Sequence, residues 1–189
     1  MDSTLLKRYL QANVSFTDEQ LDEAVKLFKP KNVKRGALLL SAGDNCKELY
    51  FVNKGCIRTY YITVDGKERT RYLAFEGIVC TALASFITQK PSFEFVDAIE
   101  NAELPSISRH HFYQLIADAS EWAMFYQKLL EFAYTYQNKR IEYLVTLTAK
   151  ERYDDILKNH PEYIRRLPNY ILASYLDLSQ ETLSRLKST

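Results

Sequence analysis

The chain has 189 residues, of which 47% are hydrophobic and 26% charged, and its formal net charge is +1 at pH 7. This composition is typical of a globular protein of one large domain or two small ones, and it excludes a disordered chain and a strongly basic nucleic-acid coat. No stretch approaches about 18 uninterrupted apolar residues and the first residues lack the order of a secretory signal, so a cytoplasmic protein with no membrane contact is expected.

The first 28 residues predict two helices. Apolar side chains recur at helical spacings on either side of a break at residues 14–16. Ser15 or Thr17 is expected to cap the second helix.

Residues 32–109 predict an antiparallel β-barrel or sandwich. Short runs of β-branched and aromatic residues alternate with glycines at intervals of roughly a dozen residues. The clearest turn is Asp65-Gly66, because Asp-Gly suits a hairpin turn that needs positive φ. A hairpin is therefore predicted between the strand at residues 58–63 and the strand at residues 69–73.

Residues 109–146 predict a return to helix. One set of side chains recurs at alternating steps of four and three, which favours a coiled-coil-like dimer seam; an alternative is a helix packed against its own domain. Phe125 and Phe132 lie beside this seam and could pack back on the barrel. The residues assigned to dimerisation are Trp122, Tyr126, Leu129, Ala133, Tyr136 and Arg140.

A capping box at Thr148 and Glu151 begins another helix, which is predicted to end at about Asn159, before Pro161. A boundary is therefore expected near Leu147. The predicted domains are an effector domain at residues 1–112, a dimerisation helix at 113–147 and a C-terminal domain at 148–189.

Residues 169–185 predict a helix-turn-helix, in which two short helices meet at a tight turn and one face of the second helix stays free. Ala173 is the small residue at the crossing. Asp177 occupies the turn where Gly is usual, and Asp tolerates a left-handed backbone. Ser179 is expected to cap the second helix. The apolar contacts are assigned to Leu172, Leu176, Leu178, Leu183 and Leu186. An ordinary helical hairpin with a leucine core is the alternative.

The whole pattern resembles the Crp/Fnr family of bacterial transcription regulators. Residues 34–44 and 49–58 resemble the family's first two strand-and-turn signatures. His160-Pro161, residues 171–176 and residues 181–185 resemble the segment that family members present to DNA. The resemblance implies an α+β protein with an N-terminal cyclic-nucleotide-binding-like β-barrel (double-stranded β-helix or jelly roll), a long dimerisation helix and a C-terminal helix-turn-helix.

The resemblance also implies a DNA-reading surface. Glu181, Ser184 and Arg185 match the base-reading triplet of the Fnr-like branch, and Gln180 stands where Crp-like members place an Arg. Lys187 is assigned to a phosphate. The implied partners are palindromic double-stranded DNA with TTGA-like half-sites, a second copy of the chain, a small-molecule effector and RNA polymerase. The alternative is that these side chains are ordinary solvated surface residues with no role in DNA binding.

Two departures from the family pattern are visible. The chain ends at Thr189, four residues after Arg185, so the β-hairpin wing that usually follows is missing and weak DNA binding is expected. In the effector cassette, Ser92 stands where cyclic-nucleotide binders place a phosphate-binding Arg, which disfavours cyclic AMP. An N-terminal cysteine cluster for an iron–sulfur centre is also missing. A less charged effector is expected, contacted by Tyr72, Phe75, Glu76, Ser85, Phe86 and Ser92.

Two other functions remain as alternatives. One is a small-molecule-sensing dimeric barrel protein that has lost specific DNA binding. The other is a cupin-like enzyme, which needs His and carboxylate ligands inside the barrel. The residues before Arg109 contain no His, and Cys46, Cys56 and Cys80 follow no zinc or iron–sulfur spacing, so catalysis and a metal cofactor are not expected.

Overall fold

The computed structural model describes residues 2–188. The chain separates into two compact units. The first unit comprises the residues up to Tyr61 together with Tyr72–Leu130, and the second comprises Ile62–Arg71 together with the residues from Glu131 onward. None of the helices in the described part of the chain is long and apolar enough to cross a membrane.

Two helices open the first unit, as predicted: α1 at Thr4–Asn13 and α2 at Asp18–Leu27. Thr17 rather than Ser15 caps α2, because its side chain accepts a hydrogen bond from the Gln20 N–H while the Gln20 side chain binds back to the Thr17 N–H.

Nine strands in the described residues form three sheets, which confirms the predicted antiparallel β-domain. The sheet orders are β1-β8, β2-β7-β4-β5 and β6-β3-β9. One helix, α3 at Leu83–Thr88, interrupts the strand region and was not predicted. The strands are β1 Asn32–Val33, β2 Leu38–Leu40, β3 Glu48–Phe51, β4 Ile57–Ile62, β5 Glu68–Ala74, β6 Val79–Cys80, β7 Phe95–Ala98, β8 Ala102–Glu103 and β9 Ser106–Ser108.

The predicted hairpin joins β4 to β5. Gly66 occupies the turn with φ 78°, a backbone angle that favours glycine, and the Thr63 N–H bonds to the Lys67 carbonyl at 2.9 Å. The tip of this hairpin, Ile62–Arg71, belongs to the same compact unit as the C-terminal helices. We call this segment the hairpin tip.

The long helical region consists of two helices rather than one. Helix α4 spans Arg109–Asp118 and α5 spans Ser120–Thr146, and Ala119 between them has an extended backbone. Trp122 and Phe125 at the start of α5 lie in an aromatic cluster with Phe16 and Phe112, with ring centres 4.8 to 6.5 Å apart. The start of α5 is therefore part of the core of the first unit.

Four further helices follow α5, and the predicted capping box at Thr148 and Glu151 begins the first of them. Arg152 donates hydrogen bonds to the carbonyl oxygens of Leu144 (3.1 Å) and Leu147 (3.3 Å), which satisfies acceptors at the end of α5. The helices are α6 Ala149–Asn159, α7 Pro161–Arg166, α8 Asn169–Leu176 and α9 Gln180–Lys187. The hairpin tip and most of α5 belong to the same compact unit as these helices.

Candidate nucleic-acid interface

Helix α8 ends in a tight left-handed turn at Asp177, which has φ 55° and ψ 48°. The N–H groups of Asp177 and Leu178 both bond to the Ala173 carbonyl, the latter at 2.9 Å. Such bonds satisfy carbonyls left open at a helix end, and Asp is one of the few non-glycine residues that accept this conformation. The turn expected from the sequence is therefore present at the expected residue.

Helix α9 follows this turn immediately. Ser179 caps it by accepting a hydrogen bond from the Thr182 N–H at 3.1 Å. Leu183 is only 1% exposed, and Leu172, Ala173 and Leu176 of α8 are buried. Leu178 and Leu186 are half-buried. The apolar side of α9 therefore faces the interior of its unit, and helix α6 contacts both α8 and α9.

The opposite side of α9 is exposed to solvent. Glu181, Ser184 and Arg185 lie there, and all five predicted DNA-contacting residues are exposed: Gln180, Glu181, Ser184, Arg185 and Lys187. The pKa of Glu181 is lowered, chiefly by a hydrogen bond with the Ser179 side chain, so its carboxylate is ionised at neutral pH. The Lys187 ammonium lies 2.6 Å from the Asn169 side-chain oxygen at the start of α8.

These side chains carry the chemistry of direct base readout. Arginine can donate two hydrogen bonds to guanine, an ionised glutamate can accept from the cytosine amino group, and serine can do either. An α-helix with such a face fits the major groove of B-DNA. Accessibility of this face is the first condition for reading bases, and α9 meets it.

Sequence reasoning missed the residues that hold α8. Arg140 of α5 donates a hydrogen bond to the Tyr175 carbonyl, and the Tyr136 and Tyr175 hydroxyls lie 3.3 Å apart. From the hairpin tip, Arg69 pairs with Asp177 at 2.9 Å and the Thr70 N–H donates to the Ser174 hydroxyl at 3.2 Å. These contacts join residues that are far apart in the sequence, so no local sequence pattern predicts them. The sequence feature that pointed to them was Asp177, which occupies a position where Gly is usual.

The residues predicted to form the dimer seam lie on the inward side of α5. Trp122 is 2% exposed, and Tyr126 and Leu129 pack against the core of the first unit. Tyr136 and Arg140 contact Tyr175 of α8 in the second unit. Ala133 shares this side and is half-buried. These contacts within each unit favour the alternative of a helix packed against its own domain, and the assignment of these residues to a dimer surface stays a prediction.

Phe125 and Phe132 behave differently from each other. Phe125 is buried in the aromatic cluster, as expected, whereas Phe132 is 51% exposed and stacks on Tyr136, with ring centres 6.0 Å apart.

The outward side of α5 carries a second periodic row. Its members recur at alternating steps of three and four, which is the spacing of a coiled-coil seam. The four apolar ones are 51% to 78% exposed. Asn138 occupies a central position of the row. The row, which we call the outer seam, consists of Met124, Gln127, Glu131, Tyr134, Asn138, Ile141 and Val145.

The serine hydroxyls predicted to contact an effector are used within the scaffold. Ser85 accepts from the Cys46 N–H at 2.9 Å and donates to the Lys90 carbonyl at 2.6 Å. Ser92 accepts from the Glu94 N–H and donates to the Glu94 carbonyl, both at 2.9 Å. These hydroxyls hold the segment around α3 in place, and their assignment to a ligand surface stays a prediction.

The other members of the predicted effector site are also built into the scaffold. Glu76 lies between β5 and β6, and its carboxylate accepts from the Gly55 N–H at 2.8 Å. Phe86 is fully buried against Phe112. Phe75 is buried and Tyr72 half-buried. Glu76 is exposed, and its role as an effector contact stays a prediction.

Comparisons with known proteins agree with this geometry. Residues 30–119 match the family model of the cyclic nucleotide-binding domain. The fumarate and nitrate reduction regulatory protein of Vibrio cholerae is 26% identical over 89% of this chain and 70% of its own length. The protein of the same description from Yersinia pestis is 35% identical over 40% of this chain, a match that spans 29% of its own length.

Solved structures show the same fold. FixK2 from Bradyrhizobium japonicum superposes with a TM-score of 0.74 at 18% identity, covering 85% of this chain and 83% of its own. A regulator from Eubacterium rectale assigned to the Crp/Fnr family superposes with a TM-score of 0.70 at 20% identity, covering 90% of this chain and 82% of its own. This chain is similar in sequence to the fumarate and nitrate reduction regulatory proteins, and it shares its fold with regulators of the Crp/Fnr type.

One buried cation of the barrel is paired within the chain. Arg58 is held by Asp97 through two hydrogen bonds of 2.8 and 3.1 Å, which neutralise its charge. Ser92, which the family resemblance places at the phosphate-binding position, offers a hydroxyl and no positive charge to a phosphate.

Among residues 2–188, no three or more His, Cys, Asp or Glu side chains cluster in a way that could hold a metal ion. Cys46, Cys56 and Cys80 are buried free thiols, and the Cys46 sulfur lies 3.1 Å from the Thr81 hydroxyl.

Proposed function

We propose that this chain is an effector-responsive, DNA-binding transcription regulator of the Crp/Fnr type that works in the cytoplasm as a homodimer. The observation that carries the proposal is the exposed side of α9, where Glu181, Ser184 and Arg185 stand on a helix whose opposite side is anchored by Leu183. Homology to the fumarate and nitrate reduction regulatory proteins supports it.

Each residue of this surface makes a different contact with DNA. Arg185 donates to the O6 and N7 atoms of a guanine, and Glu181 accepts from a cytosine amino group. Ser184 and Gln180 contact neighbouring bases. Lys187 neutralises a phosphate, which strengthens binding to every sequence alike.

The homodimer forms through the outer seam of α5. Burial of Met124, Tyr134, Ile141 and Val145 against their symmetry mates removes apolar surface from water. Asn138 at the centre of the seam favours a two-stranded arrangement in register. A two-fold dimer presents its recognition helices about 34 Å apart, so its target is an inverted repeat. TTGA-like half-sites and RNA polymerase as a partner follow from the family resemblance.

The barrel responds to a small molecule that carries no cyclic phosphate. The pairing of Arg58 with Asp97 and the internal bonding of Ser92 support this part of the proposal. The effector domain comprises residues 1–112 and the DNA-binding domain residues 148–189, and the dimerisation helix at residues 113–147 lies between them in the sequence.

Selection of binding sites from random double-stranded DNA by the purified full chain tests the proposal. We expect enrichment of an inverted repeat. Arg185→Ala should lose preference at one guanine per half-site, whereas Lys150→Ala, an exposed basic residue of the same unit that pairs with Asp154, should select the same site. A dimer that enriches no palindrome would favour the alternative of a sensing protein without specific DNA binding.

A further inference from the structure

Two residues of the hairpin tip contact the end of α8, next to the turn from which α9 begins. Arg69 Nη1 lies 2.9 Å from Asp177 Oδ1, and both side chains are partly exposed. All of these residues belong to the second compact unit. A β-hairpin that starts in the barrel strands thus holds the residue that sets the turn of the helix-turn-helix.

The second contact is buried. The Thr70 N–H donates to the Ser174 hydroxyl at 3.2 Å, and the Thr70 and Ser174 hydroxyls lie 2.5 Å apart. Ser174 also donates to the Ile171 carbonyl one turn earlier in α8. Buried polar groups are costly to leave unpaired, so this contact holds strand β5 and helix α8 in a defined register.

The identity of residue 177 follows from these contacts. Glycine adopts a left-handed backbone at no steric cost, which is why it is common in such turns, whereas aspartate adopts it with some strain. Asp177 supplies what glycine lacks, a carboxylate that pairs with Arg69. The unusual residue in the turn therefore has a partner on the hairpin tip.

We propose that the hairpin tip sets the orientation of the recognition helix, and that Arg69 and Thr70 are positioning residues for DNA binding that act through Asp177 and Ser174. This inference rests on the proposed function. Strand β5 continues from Arg69 to Ala74, out of the second unit and into the first. Helix α9 begins three residues after Asp177, so the contacts of the hairpin tip lie next to the start of the recognition helix.

Loss of these two contacts should weaken DNA binding. With both contacts made, the DNA-reading side of α9 is exposed and its first turn is fixed. Loss of the contacts widens the range of orientations of α8 and α9, and binding must then restrict that range at an entropic cost. Weaker binding to the selected DNA site is expected, with no change in the number of phosphates contacted.

The ion pair is tested by a double-mutant cycle of Arg69→Gln and Asp177→Asn in the full chain. Asparagine also tolerates the left-handed turn, so the backbone is preserved. Because the pair is partly exposed, each single change should weaken binding to the selected site by about two- to fivefold. The double variant should be no weaker than either single one, since both remove the same interaction. Lys67→Gln on the same hairpin, where Lys67 pairs with Asp65, is the matched control and should bind normally.

The buried contact is tested by Thr70→Val and its conservative partner Thr70→Ser. Valine keeps the shape but loses the hydroxyl, so it should weaken DNA binding by about five- to tenfold, and serine should restore most of it. The slope of affinity against salt should stay the same in all these variants, because none removes a phosphate contact. Unchanged affinity, additive losses in the cycle or tighter binding would overturn the proposal.

Hydrogen exchange of the DNA-free protein separates this inference from the proposed function. Amides of α8 and α9 should exchange several-fold faster in Arg69→Gln and Thr70→Val than in Lys67→Gln, because release of the hairpin tip increases local opening. Faster exchange in a protein that binds no DNA sequence would refute the proposed function and leave the positioning contacts standing. Unchanged exchange in a protein that binds DNA would refute the positioning role alone.

Discussion

Arg140 donates a hydrogen bond to the carbonyl oxygen of Tyr175, and its guanidinium lies 4.1 Å from the centre of the Tyr175 ring. An arginine in a row of apolar and aromatic residues is thereby explained, because it binds the last turn of α8 from the side of α5. Burial also raises the pKa of Tyr136, whose hydroxyl adjoins that of Tyr175.

Replacement of Arg140 by Met should therefore lower the free energy of unfolding by about 2 kcal/mol, since both a cation–π contact and a hydrogen bond to a charged donor are lost. Denaturant unfolding followed by circular dichroism measures this. Lys139→Met, on the exposed side of the same helix, is the control and should change stability by less than about 0.5 kcal/mol. Equal effects of the two changes would contradict the assigned role of Arg140.

The outer seam predicts which substitutions dissociate the dimer. Ile141→Asp or Tyr134→Asp should yield a monomer in sedimentation velocity at micromolar concentration, because a charge would be buried at the interface. Phe132→Asp is the control, since Phe132 is exposed and aromatic but lies off the seam. A wild-type protein that sediments as a monomer, or a dimer that survives both seam changes, would refute this interface.

Replacement of Arg185 and replacement of Lys187 should have different effects on DNA binding. Arg185→Ala should cost about 1–3 kcal/mol of affinity for the selected site and relax discrimination at a guanine. Lys187→Ala should weaken binding to all sequences alike and reduce the salt dependence by about one phosphate contact. Fluorescence anisotropy with specific and scrambled duplexes measures both. If Lys187→Ala changed specificity instead, the two roles would have to be reassigned.

The pair of Arg58 and Asp97 contributes to the stability of the first unit. Arg58 is 1% exposed, makes two hydrogen bonds to Asp97 and lies 4.1 Å from the centre of the Tyr60 ring. Arg58→Met should lower the free energy of unfolding by about 3 kcal/mol, because Asp97 would keep a poorly solvated charge. Adding Asp97→Leu should recover part of that loss. If the double variant were less stable than Arg58→Met, so that the two losses of stability added, this explanation would be wrong.

Cyclic AMP should not bind with micromolar affinity. Ser92 is bonded to Glu94 and offers no positive charge to a phosphate, and Arg58 is committed to Asp97. Isothermal titration calorimetry of the full chain is the measurement, with a known cyclic-AMP receptor as the positive control. A saturable heat at micromolar ligand would mean that another cation reaches the phosphate.

Much of the helix-turn-helix was predictable because its determinants are local. The left-handed turn at Asp177, the cap at Ser179 and the buried Leu183 all depend on residues within a few positions of each other. The capping boxes at Thr17 and Thr148 and the Asp65-Gly66 hairpin are equally local. The exposed side of α9 follows from its spacing once Leu183 is buried.

The two sides of α5 could not be told apart from spacing. Both the row of Trp122 and Tyr136 and the row of Met124 and Ile141 have the three-and-four periodicity of a seam, and only packing decides which one faces the chain itself. The hydrogen bonds of two predicted effector residues were hidden for a related reason. The Ser85 hydroxyl and the Glu76 carboxylate accept from backbone amides of segments that are distant in sequence.

The sequence by itself therefore determined the order of elements, the turn and caps of the helix-turn-helix, and the side of α9 that is free to read DNA, because short-range backbone geometry and helical periodicity govern these features. The tertiary structure alone decided the inward side of α5, the commitment of Arg58 to Asp97, and the contacts of Arg69 and Thr70 with Asp177 and Ser174. Those contacts join residues more than 100 positions apart in the case of Thr70 and Ser174, so no local pattern encodes them. They form only when long-range packing brings the segments together.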